Sequence, residues 1–287
     1  MSLSRPRRSA LYMPAGNPRA VEKARALPAD VVILDLEDSV APDAKREARA
    51  LAAEALAAGG FGGREVVIRV NGLDTPWAGD DLAMAIAARP DAILVPKLSS
   101  PDDIAAVAER VAGRTRLWAM IETCQAIFRL DALGLASRDA SVDVWVIGGN
   151  DLVKEMRCRP GPDRAPLVPS LSFAVMAARA HGLAILDGVY NDIPDLDGLA
   201  RECAQGVALG FDGKSLIHPS HLETANRAFT PPAAEVAWAR TVAAAYAAPE
   251  NASKGVLKVE GKMVERLHLE QAKRLIAVAE AIDALEA

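Results

Sequence analysis

About eight short apolar runs rich in β-branched residues recur along the chain, and longer Ala-rich amphipathic segments separate them. The runs are Ala10–Met13, Val31–Leu36, Val66–Val70, Ala92–Val95, Leu117–Ile121, Val144–Ile147, Ala184–Val189 and Lys214–Ile217. Segments such as Pro42–Ala58, Pro101–Ala112 and Leu171–His181 carry a helical pattern. Strands alternating with helices imply βαβ units and a parallel sheet. A doubly wound open sheet is the alternative, but it usually has fewer strands and often a Gly-rich phosphate loop after the first. Here that position reads Pro14-Ala15-Gly16-Asn17-Pro18, which is neither dinucleotide fingerprint nor P-loop. The strand count favours an α/β fold of the closed TIM (β/α)8 barrel type.

Such a barrel needs roughly 250 residues, and this chain has 287. The alternation stops after His218. Pro219–Phe229 reads as the eighth helix, and Pro231-Pro232 then breaks the chain. Ala234–Ala247 and His268–Leu285 read as further helices, with Gly255–Val259 a short extended piece between them. The expected organisation is a catalytic barrel over residues 1–230 and a C-terminal helical lid or oligomerisation segment over 231–287.

Hydrophobic residues at 51% and charged residues at 25% exclude a mostly disordered chain. A formal charge of −5 argues against a nucleic-acid partner bound through a broad basic surface. Cys124, Cys158 and Cys203 are odd in number and widely spaced, which excludes a disulfide scaffold and fits a reducing cytosol. No apolar run reaches the length of a membrane span, and the basic N-terminus has too short an apolar stretch for a secretory signal. A soluble, cytoplasmic protein without a membrane partner is expected.

In a barrel, function sits at the C-terminal ends of the strands. Those positions hold Asp35-Leu36-Glu37-Asp38, Arg69-Val70-Asn71, Pro96-Lys97, Glu122-Thr123, Gly148-Gly149-Asn150-Asp151, Tyr190-Asn191-Asp192 and His218-Pro219. Charges at almost every strand end favour an enzyme. Glu122 and Asp151 close adjacent strands, and two carboxylates without Cys or His suit Mg²⁺ or Mn²⁺. The bland reading is that Asp151 caps a helix and Glu122 pairs with an arginine. Arg69 suits a carboxylate or thioester oxygen, or a structural ion pair with Glu37 or Asp38. The acids at 35–38 surround a cation, bind metal waters, or pair with Arg69 and Lys97. Asp38 is also placed to cap the helix starting near Pro42. Lys97 is the best Schiff-base candidate, although an ion pair is the simpler role. No HExxH and no GxSxG is present, which argues against a zinc or a serine hydrolase.

The chain also resembles a known family. Arg8-Ser9-Ala10-Leu11-Tyr12-Met13-Pro14 followed by Val32–Val40 is similar to the opening of the citrate lyase β-subunit-like family. The resemblance continues through Arg69-Val70-Asn71, Pro96-Lys97, Met120-Ile121-Glu122-Thr123, Gly148–Leu152, Gly210–Lys214, Ile217–Ser220 and Gly261–Glu265, in order and at compatible spacings. That family includes malyl-CoA, β-methylmalyl-CoA and citramalyl-CoA lyases of the HpcH/HpaI aldolase superfamily. The resemblance implies a TIM barrel with an appended C-terminal segment and Mg²⁺ on Glu122 and Asp151. It implies that Arg69 contacts substrate near the reacting centre. It also implies a homotrimer or a multiple of trimers, in which the C-terminal segment of one copy covers the site of the next and its acid moves a proton. Two departures stand out. The lid acid is more often Asp, where this chain has Glu265, and the first loop often carries Pro-Gly, where this chain has Pro14-Ala15-Gly16.

The leading expectation is a Mg²⁺-dependent retro-aldol or Claisen-type lyase that splits a hydroxyacyl-CoA into an acyl-CoA and a small α-oxo acid. Arg69 would stabilise the enolate oxygen, and Glu265 would protonate its carbon. Glu37 joins the substrate contacts, Asp38 the catalytic acids, and the Gly149–Asn150 backbone would hold the oxo-acid carboxylate. Arg19 and Lys23 either meet CoA phosphates or are solvated helix charges. The alternatives are a malyl-CoA-type thioesterase, a CoA-independent oxo-acid aldolase, and a citrate lyase β subunit that needs partner chains.

Overall fold

The computed structural model describes residues 5–251 and 253–286. The first elements are β1 (Ser9–Pro14), α1 (Pro18–Ala24), β2 (Val31–Asp35), α2 (Lys45–Ala58), β3 (Glu65–Arg69), α3 (Ala78–Ala88), β4 (Ala92–Val95), α4 (Pro101–Val111) and β5 (Arg116–Ile121). Two helices, α5 (Cys124–Ile127) and α6 (Leu130–Asp139), lead to β6 (Val142–Ile147). Then come α7 (Gly149–Met156), α8 (Val168–Ala180), β7 (Ala184–Asp187), α9 (Leu196–Leu209), β8 (Gly213–Leu216) and α10 (Leu222–Phe229). The eight strands are parallel, pair in sequence order and close, with β8 beside β1, as the alternation predicts.

Each strand is apolar on both faces because each face meets a different layer. Ala10, Ile33, Val67, Leu94, Trp118, Met120, Val146 and Leu186 fill the barrel interior. Intervening residues such as Leu11, Val32, Leu34, Ile68 and Ile93 are equally buried, because side chains of opposite parity face the surrounding helices. The helices start where the chain offers caps. Asn17 accepts from Ala20 N at 3.1 Å ahead of Pro18, Ser100 and Asp103 form a capping box around Pro101, and Asp195 accepts from Gly198 N at 2.8 Å.

Two buried ion pairs close the N-terminal end of the barrel. Arg7 grips Glu65 at 2.6 and 2.9 Å, and Arg8 grips Asp30 at 2.8 and 2.9 Å. The Arg7 guanidinium also lies over the Trp118 ring at 5.3 Å. The open end, at the C-termini of the strands, is left for the site.

The chain divides after Ala228 into a second compact unit. It contains α11 (Ala233–Ala247), β9 (Val256–Val259), β10 (Lys262–Glu265) and α12 (Arg266–Glu286). The sequence reading has Gly255–Val259 as a short extended piece and leaves residues 261–267 unassigned. There Lys262–Glu265 returns as a second antiparallel strand, with Val259 opposite Lys262. The two turn residues, Glu260 and Gly261, have φ of 46° and 83°, the left-handed pair that a tight hairpin requires. Val242, Tyr246, Leu257, Val259, Val264 and Leu269 form this unit's own core. Tyr246 Oη donates to Val264 O at 2.9 Å. Among the described residues, no helix is long and apolar enough to cross a membrane.

Candidate active site

A cavity of about 330 Å³ opens at the C-terminal ends of the strands, at the lower end of the usual range for small-molecule sites. Tyr12, Asp35, Asp38, Arg69, Met120, Glu122, Gly148, Gly149, Asn150, Asp151 and Asn191 line it, with Ile147, Val189 and Ile217 as apolar wall. The barrel thus gathers on one surface residues that are 12 to 217 in the sequence.

Arg69 is the hub. Asp35 and Arg69 are register partners on neighbouring strands, and Asp35 takes two parallel bonds from Nε and Nη2 at 2.6 and 2.8 Å. Arg69 Nη1 lies 2.9 Å from Glu37 Oε2 and 3.2 Å from Asp38 Oδ2, and the guanidinium stacks on Tyr12 at 4.6 Å. Burial alone would raise the Asp35 pKa, but Arg69 outweighs it and holds the carboxyl below the ordinary carboxylate value. The ion-pair reading of Arg69 therefore holds, and the same side chain also lines the cavity.

Lys97 makes an ion pair rather than standing free: its Nζ reaches Glu37 Oε1 at 2.6 Å. Its backbone matters more for the site. Lys97 has φ of 57°, a left-handed conformation that a side-chain-bearing residue adopts at a cost of about 1–2 kcal/mol. In that conformation its N–H donates to Glu122 Oε1 at 2.7 Å. Glu122 thus pairs with a backbone N–H, not with an arginine. Gly148 leaves space for Glu122, because a β-carbon there would overlap Glu122 Oε2.

Asp151 lies in the first turn of α7 and faces the cavity; the N-cap, Gly148, makes no side-chain cap bond. Asp38 does not cap the following helix as expected. That helical turn starts after Ala41 without a side-chain cap, and Asp38 turns to Arg69 because the guanidinium is the nearer partner. Gly149 and Asn150 line the cavity, and Asn150 exchanges bonds with Asn191 at 2.7 and 3.2 Å. Glu37 is buried behind the wall, held by Lys97 and Arg69. Arg19 and Lys23 are exposed on α1 and do not line the cavity. Glu265 ends β10 in the second unit, and its backbone N–H donates to His268 Nδ1 at 2.9 Å.

Sequence reasoning missed Tyr12, Met120 and Asn191 as lining residues. The signal for Tyr12 was present: it shares the parity of Ala10 in β1, the face that fills the barrel.

The charges test whether a divalent cation fits. Asp35, Glu37, Asp38, Glu122 and Asp151 surround Lys45, Arg69 and Lys97, so five carboxylates face three cations. Burial, then the nearby Glu37 and Asp151 charges, push the Glu122 carboxyl up to about 8. Glu37 Oε2 is buried without a hydrogen bond, although Arg69 sits 2.9 Å away at an unfavourable angle. A divalent ion at Glu122 and Asp151 would replace the proton that the raised Glu122 carboxyl otherwise keeps. No group of three or more metal-binding side chains forms among the described residues. A two-carboxylate set matches Mg²⁺, which keeps waters or substrate oxygens in its remaining positions.

A closed parallel barrel with such a carboxylate pair, an arginine and a glycine-lined wall at its mouth has the architecture of a TIM-barrel enzyme. The chain belongs to the HpcH/HpaI aldolase/citrate lyase family, whose model matches residues 8–219. It is 46% identical over 282 residues to a (3S)-malyl-CoA thioesterase of Cereibacter sphaeroides, covering 98% of each chain. It is 29% identical to the mitochondrial citramalyl-CoA lyase of Rattus norvegicus, covering 96% of this chain and 87% of that one. Among solved structures, it is similar to CitE from Mycobacterium tuberculosis in complex with magnesium, acetoacetate and coenzyme A. The TM-score is 0.77 and the identity 28%, over 98% of this chain and all of that one.

Proposed function

We propose that this protein acts on a hydroxyacyl-CoA of the malyl type, bound through Mg²⁺ at Glu122 and Asp151, and that it completes hydrolysis of the thioester. The observation that carries the site is the Glu122 carboxyl raised by burial and by the nearby Glu37 and Asp151, beside the Arg69 donor in one cavity. The choice of reaction is supported by the 46% identical malyl-CoA thioesterase, which matches over nearly the whole chain.

Glu122 and Asp151 would hold Mg²⁺, which would supply Lewis-acid polarisation of substrate oxygens. Glu122 is fixed for ligation by the Lys97 N–H on one oxygen and the absent side chain of Gly148 beside the other. Backbone N–H groups at the start of α7, Gly149 and Asn150, suit the substrate's free carboxylate. Arg69 has Nε and Nη2 occupied by Asp35, so Nη1, which also donates to Asp38 Oδ2 at 3.2 Å, is the edge that would share its second N–H with the thioester oxygen. Water adds to the thioester carbon and the C–S bond breaks; one water proton leaves on the thiol, and the other passes to solvent as the new carboxylate forms. On the same reading, Arg19 and Lys23 meet CoA phosphates, and Glu265 moves a proton in the site of a neighbouring copy of a homotrimer.

Carbon–carbon cleavage is the second reading, favoured by the resemblance to citramalyl-CoA lyase and to citrate lyase subunit β. One assay separates the two. With malyl-CoA and Mg²⁺, the purified chain is expected to release free thiol and malate in equal amounts. Glyoxylate with intact acetyl-CoA would establish the lyase instead, and the absence of every product would overturn both.

A further inference from the structure

We propose that the Tyr12 hydroxyl is a second hydrogen-bond donor, beside Arg69 Nη1, to the thioester oxygen as negative charge develops on it. This rests on the reading of the cavity as a thioester site.

The argument starts from convergence. Tyr12 Oη and Arg69 Nη1 each lie 3.9 Å from one atom, Met120 Sδ. All three residues line the same cavity. Two donors from different strands, β1 and β3, therefore point at one locus on the wall of the site. A thioether is a weak acceptor, and Met120 Sδ is the sole hydrogen-bond partner of Tyr12 Oη among the described residues. A partly buried phenol with so poor a partner, next to a cationic donor, has its hydrogen-bonding capacity unspent. A substrate oxygen at this locus would offer both donors a much better acceptor.

The stack fixes the geometry. The guanidinium carbon of Arg69 sits 4.6 Å from the Tyr12 ring centroid, and Asp35 locks the opposite edge of the guanidinium. The ring and the guanidinium plane are thus held in place as charge appears, the condition under which such donors act most strongly. Burial, and then the nearby acids, push the phenol above its ordinary range, although Arg69 opposes them. It therefore remains a protonated donor.

The ring and the hydroxyl make separable contributions, and the test uses that. Tyr12→Phe keeps the stack on Arg69 and removes only the donor. With malyl-CoA and Mg²⁺, its kcat is expected to fall about 100-fold, as for the loss of one oxyanion donor, while KM stays within about twofold. Its circular dichroism and Tm should match the wild type. Tyr12→Leu, which removes the stack as well, is expected to lose at least as much. Wild-type kcat and KM in Tyr12→Phe would overturn the proposal and leave the residue a mere prop for Arg69. A rise in KM at constant kcat would also overturn it, because the hydroxyl would then bind ground state only. Product formation by the wild type is measured in parallel. Its absence would overturn the thioester reading, and this proposal with it.

Discussion

Gly148 and Glu122 occupy complementary space: a β-carbon on the glycine would overlap both Cβ and Oε2 of the glutamate. Gly148 N also donates to Ile121 O at 3.1 Å, so the backbone has no room to retreat. Gly148→Ala should therefore displace Glu122 at a cost of about 1–3 kcal/mol. Calorimetry should show weakened Mg²⁺ affinity together with a lowered Tm. One residue later, a β-carbon would meet nothing within 4 Å, so Gly149→Ala should leave Tm unchanged or raise it.

Glu122→Gln and Asp151→Asn are each expected to lower Mg²⁺-dependent turnover by on the order of 100-fold. The double variant should lose little more, because both side chains act through one ion and such effects are not additive. A titration of activity with MgCl₂ checks this. A Glu122→Gln protein with full Mg²⁺-dependent activity would remove the metal from that position.

Away from the cavity, Lys214 and Asp187 form a second, wholly buried ion pair at 2.9 Å, completed by Glu202 at 2.6 Å and by Arg164. Burial opposes both charges, but the partners prevail: the Asp187 carboxyl is held below its ordinary value and the Lys214 amine above. The depressed carboxyl adds stability that is present above about pH 4 and is lost as pH falls through its folded value. The raised amine adds stability that is full below about pH 10 and is lost as pH rises through its folded value. Tm measured against pH should thus show a plateau between those limits. Lys214→Met leaves Asp187 and Glu202 with Arg164 as their one shared cation and should destabilise the fold by about 3–5 kcal/mol. Paired with Asp187→Leu, the loss should shrink. A loss in the double variant equal to the sum of the two single losses would mean that the charges are not coupled.

If Glu265 serves the site of a neighbouring copy, two inactive variants should rescue one another. Glu122→Gln and Glu265→Gln are each expected to be nearly inactive. After denaturation and joint refolding, mixed oligomers would contain some sites with both acids intact. Recovery of a sizeable fraction of wild-type activity is the expected result. Activity no greater than the sum of the separate proteins would place Glu265 outside any shared site. Sedimentation of the wild type checks for a trimer.

The barrel was legible because its pattern is redundant. Eight apolar runs flanked by caps such as Ser100 and Asn17 leave few alternatives, and strand ends then locate Arg69, Glu122 and Asp151. What was not legible depends on direction rather than residue type. β7 was expected to run to Val189 but ends at Asp187, where the side chain turns outward to Lys214 and Arg164. Nothing in a Lys-containing apolar run reveals a buried amine, because its three acceptors come from Asp187, Gly188 and Glu202. Asp38 read as a helix cap since capping depends on local sequence, whereas its partner Arg69 is brought by the neighbouring strand. The Lys262–Glu265 strand was hidden for a similar reason: four residues beside a long helix carry too little periodicity to declare a hairpin.

The seam between β1 and β8 pairs Ser9 with Lys214, residues from nearly opposite ends of the barrel sequence. During synthesis, the first strand therefore waits with one edge unpaired until the eighth has emerged. Closing so long a loop carries an entropic cost that shorter-range pairings avoid. The arriving strand also brings Lys214, whose amine loses its water only where Asp187, Glu202 and Arg164 are already assembled. Zipping the seam and dehydrating that amine are consequently one event. A nascent barrel lacking its last strand retains an open edge and an acid pair with only one of its two cations, Arg164, which marks it chemically as unfinished.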